Sequence, residues 1–228
     1  TIHAFDLPFH GDSPSPSERA EQPFTPAELR DFFTAFADQL GAEKVVLMGY
    51  SLGGRVALSL LETMPEHIAR AVLIAPDGLK PRPWYRRLAD SAWGRARYRR
   101  FIEHPERVHF IINTLHRLGL LRDKLHRFII GQTDSIHKRR LLHDVWLSFR
   151  HIEVDLPALA DRLLASGPRV DLVFGTYDTV IKPKLGRPLA TRAPQVVHVH
   201  EVALGHQLLT PEVARRVAAL LATDAGRS

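Results

Sequence analysis

A chain of 228 residues, 45% of them hydrophobic and 25% charged, is long enough to bury one substantial core with room for a second small module. It contains no cysteine, which excludes disulfides, thiolate metal sites and a cysteine nucleophile. It also has no run of eighteen apolar residues, so no ordinary membrane-spanning helix is expected. The net charge of +6 is unevenly placed: residues 76–168 hold 18 Lys+Arg against 10 Asp+Glu, and the remainder holds 13 against 15. That excess reads as an arginine-rich solvated face, or more sharply as a field that attracts an anionic substrate. No recognition motif accompanies it, so nucleic acid is not an expected partner. The lack of cysteine fits a reducing compartment, and the opening at Thr1 carries no signal-like apolar stretch; a cytoplasmic address is the expectation.

The segment Ile2-His3-Ala4-Phe5-Asp6 reads as a short strand, followed by the breaker-rich loop Leu7-Pro8-Phe9-His10-Gly11-Asp12-Ser13-Pro14. Thr25-Pro26-Ala27-Glu28 has a helix-start signature. Leu29, Phe32, Phe33, Phe36 and Leu40 follow at helical spacing up to Gly41. Val45-Val46-Leu47-Met48 is continuously apolar, as a strand covered on both faces should be. A helix over about Leu52 to Thr63 and a strand over Ala71 to Ala75 come next. After Pro76 about ninety residues show helical patterns and arginine clusters without a strand, including Leu141, Leu142, Val145, Trp146 and Phe149. Strand signals return at Val170 to Phe174 and Val196 to His200, and a last helix starts near Thr210-Pro211-Glu212. Strands alternating with helices argue for an α/β fold with a mostly parallel sheet. The expected division is a core of residues 1–75 and 169–228 with an all-helical insert over 76–168.

Gly49-Tyr50-Ser51-Leu52-Gly53 matches G-x-S-x-G, with Gly54 extending it. An apolar strand runs directly into it and an Ala/Leu-rich helix directly out, the setting of a strained elbow that raises a serine hydroxyl above a sheet. A serine hydroxyl is a weak nucleophile and needs a base that is itself oriented by an acid. Asp178 stands at the exit of the strand that ends Phe174-Gly175, and His206 stands in Leu204-Gly205-His206 after the last strand. Serine, acid and histidine therefore follow one another in the order a strand-end triad requires. Tyr50, Trp84, Tyr85 and Trp146 are candidate pocket residues; those of the insert, with Trp93 and Phe149, have packing of its core as the plain alternative.

These pieces resemble the α/β-hydrolase superfamily in its branch with an inserted helical cap. Asp6-Leu7-Pro8-Phe9-His10-Gly11-Asp12-Ser13 is similar to the family's D-x-x-G-H-G-x-S loop, with Phe9 in place of the usual glycine. Gly49 to Gly54, Gly175-Thr176-Tyr177-Asp178 and Gly205-His206 follow in the family's order. The resemblance implies that Ser51 attacks an acyl carbonyl while His206 takes its proton, with Asp178 holding the imidazole and the backbone N–H of Leu52 serving as one oxyanion donor. It implies a small-molecule ester or related acyl substrate and no metal or organic cofactor. Asp77, at the end of the preceding strand, is the alternative acid, the position that some lipases of the family use. Thioesterase, acyltransferase and carbon–carbon bond hydrolase activities use the same triad, and a non-catalytic hydrolase-fold protein that binds a small molecule is the reading from another class. The family's sheet runs 1-2-4-3-5-6-7-8, which makes the strand before the elbow the fifth and Ile2 to Asp6 the fourth. Strands one to three are thus expected to be absent, leaving apolar edges unpaired. The loop that supplies the second oxyanion donor would be absent with them, a loss of roughly 10²–10³ in turnover.

Overall fold

A computed structural model describes residues 1–14, 16–80 and 83–222, with the side chains of Ser17, Pro83, Trp84, Tyr85 and Ser166 outside that description. In chain order the elements are α1 (Pro26–Gln39), β1 (Val45–Tyr50), α2 (Leu52–Thr63), β2 (Ile68–Ile74), α3 (Pro83–Asp90), α4 (Ala92–Glu103) and α5 (Glu106–Arg117). They continue with α6 (Asp123–Thr133), α7 (Ile136–Ser148), α8 (Leu156–Ser166), β3 (Arg169–Gly175), α9 (Arg187–Arg192), β4 (Val197–Val202) and α10 (Pro211–Ala222). The chain divides into two compact units, one of Thr1–Thr25 with Arg82–His151, the other of Pro26–Pro81 with Ile152–Ser228. Among the described residues no helix is long and apolar enough to cross a membrane.

The second unit is a parallel four-stranded sheet in the order β1-β2-β3-β4, flanked by helices, as the α/β expectation required. Strands buried on both faces are apolar at nearly every position rather than at alternate ones, and so are β2 and β3: Ala71 to Ile74 and Val170 to Phe174 are buried throughout, Asp171 being the one polar residue in these stretches. Leu58, Leu60 and Leu61 of α2 and Leu159 and Leu163 of α8 are fully buried, each contributing about 2 kcal/mol of transfer free energy. Register carries all four strands to one edge of the sheet: Tyr50 lies beside Ile74, Ile74 beside Val173 and Gly175 beside Val202. The ladder runs one residue past the strand ends, through Ser51 N–H to Ile74 O at 3.0 Å, Ala75 N–H to Val173 O at 2.8 Å and Thr176 N–H to Val202 O at 2.8 Å.

One expectation is corrected. Ile2 to Asp6 is not a strand: a strand exists through its ladder, and among the described residues of its unit this segment has no strand to pair with. On α1, Leu29 is buried and Phe32 is 54% exposed. The two units divide near 82 and 151, where 76 and 168 are the expected bounds, and α8, with Leu159, Ala160 and Leu163 buried, belongs to the sheet unit. Asp155 caps the start of α8 by accepting from Ala158 N–H at 3.2 Å, and Gly167, in the left-handed region at φ 80°, ends it. Among the described residues β1 pairs with β2 alone, and Val46 and Met48 on one of its faces are about half exposed.

Among its described residues the first unit is helical apart from its loops. Phe149 is fully buried with its ring 5.1 Å from that of Phe24, so it packs the core of this unit. Two arginines of the basic segment are braces rather than solvated charges. Buried Arg139 donates to Ile102 O and Thr133 O, both at 2.8 Å. Buried Arg150 donates to Asp90 Oδ1, Ala20 O and Leu147 O, each at 2.7 Å. Carbonyls at helix ends lack intrahelical partners, and guanidinium forks satisfy several at once. Phe9, where the resembled loop has glycine, adopts φ 71° with its side chain buried, the conformation that makes glycine the usual choice.

Candidate active site

The elbow follows β1. Ser51 has φ 50° and ψ −111°, a backbone conformation a residue with a side chain adopts only when its surroundings impose it. They do so here from both sides: its N–H donates to Ile74 O at 3.0 Å, and its carbonyl accepts from Asp77 N–H at 3.0 Å and Arg55 N–H at 3.2 Å. The tight turn requires two of the three glycines around it. A Cβ on Gly49 would stand 2.5 Å from Gly53 O, and one on Gly54 would stand 2.6 Å from Pro76 Cα. A Cβ on Gly53 would meet nothing within 4 Å, so the last glycine of the G-x-S-x-G signature is not the one the packing demands. Gly54→Ala is therefore expected to lower stability by roughly 1–3 kcal/mol. Gly53→Ala, within α2, is expected to hold or raise it by up to about 1 kcal/mol; thermal melting of the two variants checks the contrast.

Asp178 and His206 come together because the loops after β3 and β4 lie against each other. A Cβ on Gly175 would be 2.4 Å from Gly205 O and 2.5 Å from Leu204 O, so only glycine allows that approach. Tyr177 N–H donates to Leu204 O at 2.9 Å, extending the contact beyond the strands. Asp178 is buried; its Oδ1 accepts from Val180 N–H at 2.7 Å and Ile181 N–H at 2.8 Å, and its Oδ2 lies 2.7 Å from His206 Nδ1. A carboxylate can only accept, so Nδ1 carries the proton and the neutral ring keeps a bare lone pair at Nε2.

Tyr50, the residue before Ser51, ties the histidine loop to the elbow. Its hydroxyl donates to His206 O at 2.8 Å, and the two rings stand 5.6 Å apart with a 35° tilt. Burial pushes the Tyr50 phenol above its ordinary value and the nearby Asp178 charge adds to this, so it stays a protonated donor. The sequence reading placed Tyr50 on a pocket wall and offered no signal for this bond. Asp77 is elsewhere engaged: it pairs with Arg55 and accepts from Gly78 N–H at 2.9 Å. Trp146, on α7, is 40% exposed in the helical unit; the side chains of Trp84 and Tyr85 lie outside the described residues. The N–H of Leu52 belongs to the first turn of α2, where backbone donors have no intrahelical partner and the helix dipole favours negative charge.

Comparison with known proteins places this arrangement in context. The chain is similar to the Bacillus subtilis uncharacterized hydrolase YugF, with 23% identity over 213 residues, 92% of this chain and 74% of that one. It is 33% identical over 78 residues to the Caenorhabditis elegans abhydrolase domain-containing protein abhd-5.2. That stretch is 34% of this chain and 18% of the relative, and the chain matches about a fifth of the length of two acetoin-cleaving acetyltransferase components as well. Among solved structures, an α/β hydrolase from a Medee basin deep-sea metagenome, MGS-M2, matches with a TM-score of 0.62 at 16% identity, over 98% of this chain and 78% of that one. Paleococcus ferrophilus monoacylglycerol lipase matches with a TM-score of 0.54 at 20% identity, over 99% and 83%. At these identities the structural likeness speaks to the fold. A family model described as the alpha/beta hydrolase fold matches residues 1–210, and the elbow after β1 with paired loops after β3 and β4 fits it: the chain belongs to the α/β-hydrolase family.

Proposed function

We propose that this protein is a serine hydrolase that cleaves an ester or related acyl bond of a small molecule through an acyl-enzyme intermediate. Ser51 is the nucleophile, His206 the general base, Asp178 the group that orients and charges the imidazole, and Leu52 N–H an oxyanion donor. The observation that carries this reading is the 2.7 Å pair between buried Asp178 and His206, held to the strained serine elbow through Tyr50. In the proposed cycle Ser51 Oγ bonds to the acyl carbon as its proton passes to His206 Nε2; the imidazolium then protonates the departing oxygen. Water repeats the sequence and releases the acid. Hydrolase and lipase names among the relatives, a mouse (lyso)-N-acylphosphatidylethanolamine lipase at 33% over 87 residues among them, support the class of reaction.

A second reading, transfer of the acyl group to an acceptor other than water, draws on Thermus thermophilus homoserine O-acetyltransferase at 39% identity over 66 residues, 17% of that protein. Both readings predict covalent capture at one residue. A fluorophosphonate probe and p-nitrophenyl acetate should label and be turned over by the parent chain, and Ser51→Ala should abolish both. A Ser51→Ala protein that still labels, or a folded parent chain that does neither, removes the catalytic claim. Adding alcohol or amine acceptors and analysing the products separates hydrolysis from transfer.

Tyr50→Phe gives a finer test. It removes one hydroxyl hydrogen bond and keeps the ring against His206. A net hydrogen bond of about 1 kcal/mol corresponds to a fall of about fivefold in kcat, with KM unchanged because no substrate contact is lost. Steady-state kinetics on one ester decide it, and a rise in KM at constant kcat would mark Tyr50 as a pocket residue instead.

A further inference from the structure

The hairpin of α5 and α6 in the helical unit has its polarity reversed. Three polar side chains of α5 turn toward α6 and pair there: His109 Nε2 with Thr133 Oγ1 at 3.0 Å, Asn113 Oδ1 with His126 Nε2 at 2.7 Å, and His116 Nε2 with Asp123 Oδ1 at 2.8 Å. The His116 and His126 rings stack at 4.1 Å. Large apolar side chains face outward on α5 and in the turn after it, among exposed basic residues. Phe110 is 68% exposed, Leu118 67% and Leu120 72%, with Ile111 also exposed, and no residue of α5 is buried. A hairpin that turns its neutral polar groups against each other and presents its large apolar groups to solvent is suited to meet an apolar phase.

The charge around that face says which one. Between Pro105 and Ile130 there are five Arg/Lys residues and two acidic ones. All five, Arg107, Arg117, Arg122, Lys124 and Arg127, are exposed. A second copy of this chain would bring two such basic sets together, which like-charge repulsion opposes. Large apolar side chains at a hairpin tip, ringed by Lys and Arg, match instead the interface of a bilayer with negative headgroups.

We propose that the α5–α6 hairpin docks on an anionic lipid surface, seating Phe110, Ile111, Leu118 and Leu120 at the headgroup–acyl boundary while its basic residues meet the lipid phosphates. The inference stands apart from the hydrolase reading, since Ser51→Ala should bind vesicles as the parent chain does.

Co-sedimentation of the full chain with phosphatidylcholine vesicles, with and without roughly a third phosphatidylglycerol, tests it. Binding is expected to the anionic vesicles, weaker to the neutral ones, and to decline as salt rises. Leu118→Ser with Leu120→Ser should weaken it at least about tenfold. Arg117→Gln with Arg122→Gln and Lys124→Gln should weaken it roughly a hundredfold. All five positions are exposed, so unchanged circular dichroism is expected of both variants. No retention on anionic vesicles, or retention that neither set of substitutions alters, overturns the proposal. So does a concentration-dependent dimer in sedimentation velocity that the leucine substitutions abolish while vesicle binding stays intact, since a second copy would then be the occupant.

Discussion

Asp178→Asn is expected to lower kcat/KM for p-nitrophenyl esters roughly 10⁴-fold while leaving the melting temperature nearly unchanged. The two halves of that expectation come from the two oxygens of one side chain. Oδ1 takes the N–H groups of Val180 and Ile181, and the asparagine oxygen can keep both bonds, so the loop after β3 stays in place. Oδ2 faces His206 Nδ1 at 2.7 Å, and there the amide presents N–H donors where the carboxylate accepted. The imidazole must turn its lone pair to that side and carry its proton on Nε2. That is the nitrogen the proposed mechanism needs bare, and the imidazolium formed during attack also loses its counter-charge. Fluorophosphonate labelling should slow in parallel with turnover. If the variant keeps its rate within tenfold, Asp178 is not the orienting acid; Asp77→Asn, which breaks the pair with Arg55, then becomes the substitution to examine.

Much of the site was legible in the sequence because a few residue types are forced by geometry. The elbow letters with a strand before and a helix after specify a turn that hardly any other local structure satisfies, and Ser51 indeed sits at φ 50°. The apolar runs at Val45 and Ala71 became β1 and β2, and Val170 to Phe174, apolar but for Asp171, became β3; β2 and β3 are buried on both faces, while Val46 and Met48 leave one face of β1 half exposed. What failed was whatever depends on a neighbour. Ile2 to Asp6 has strand-like residues and, among the described residues of its unit, no strand beside it; Phe32 has helical spacing and is 54% exposed. The bond from Tyr50 to a carbonyl 156 positions away was out of reach for the same reason. Gly175 was legible as a strand end and the first residue of a motif, but not as the residue whose missing Cβ admits the histidine loop. The deepest omission was Asp171, a lone acid in the apolar string Val170 to Phe174. Its place in the buried run of a strand was the signal that it must be paired, and Arg70 on β2 was available to pair it.

That acid carries the other large expected effect. Asp171 has no exposed side-chain surface, and its carboxylate accepts from Arg70 Nη2 at 2.6 Å and Nε at 3.1 Å, from Arg169 Nε at 3.1 Å and Nη2 at 3.2 Å, and pairs with His200 Nε2 at 2.8 Å. Asp171→Ala would leave the guanidinium of Arg70, itself buried, without this counter-charge inside a sheet. Breaking a buried pair from one side costs about 3–5 kcal/mol. Against a total of roughly 5–15 kcal/mol this is a large fraction, and in a chain of this size it lowers the melting temperature by on the order of 10 °C. Arg70→Met combined with Asp171→Leu removes both charges and should recover a good part of the loss, because an apolar pair of similar volume has no desolvation penalty to offset. The same carboxylate sets an acid limit. Burial alone would raise its pKa, but the hydrogen bonds from Arg70, His200 and Arg169 outweigh burial and hold it below the ordinary aspartate range. A folded pKa below the unfolded one means the stabilisation is complete above about pH 4, the unfolded value, and is lost as pH falls from there through the folded value. Urea unfolding at pH 7 and at pH 3 should therefore show a gap between parent and Asp171→Ala that narrows at the lower pH. A gap that stays constant across that range would mean the carboxylate's charge contributes nothing, and that the alanine variant suffers only from lost packing.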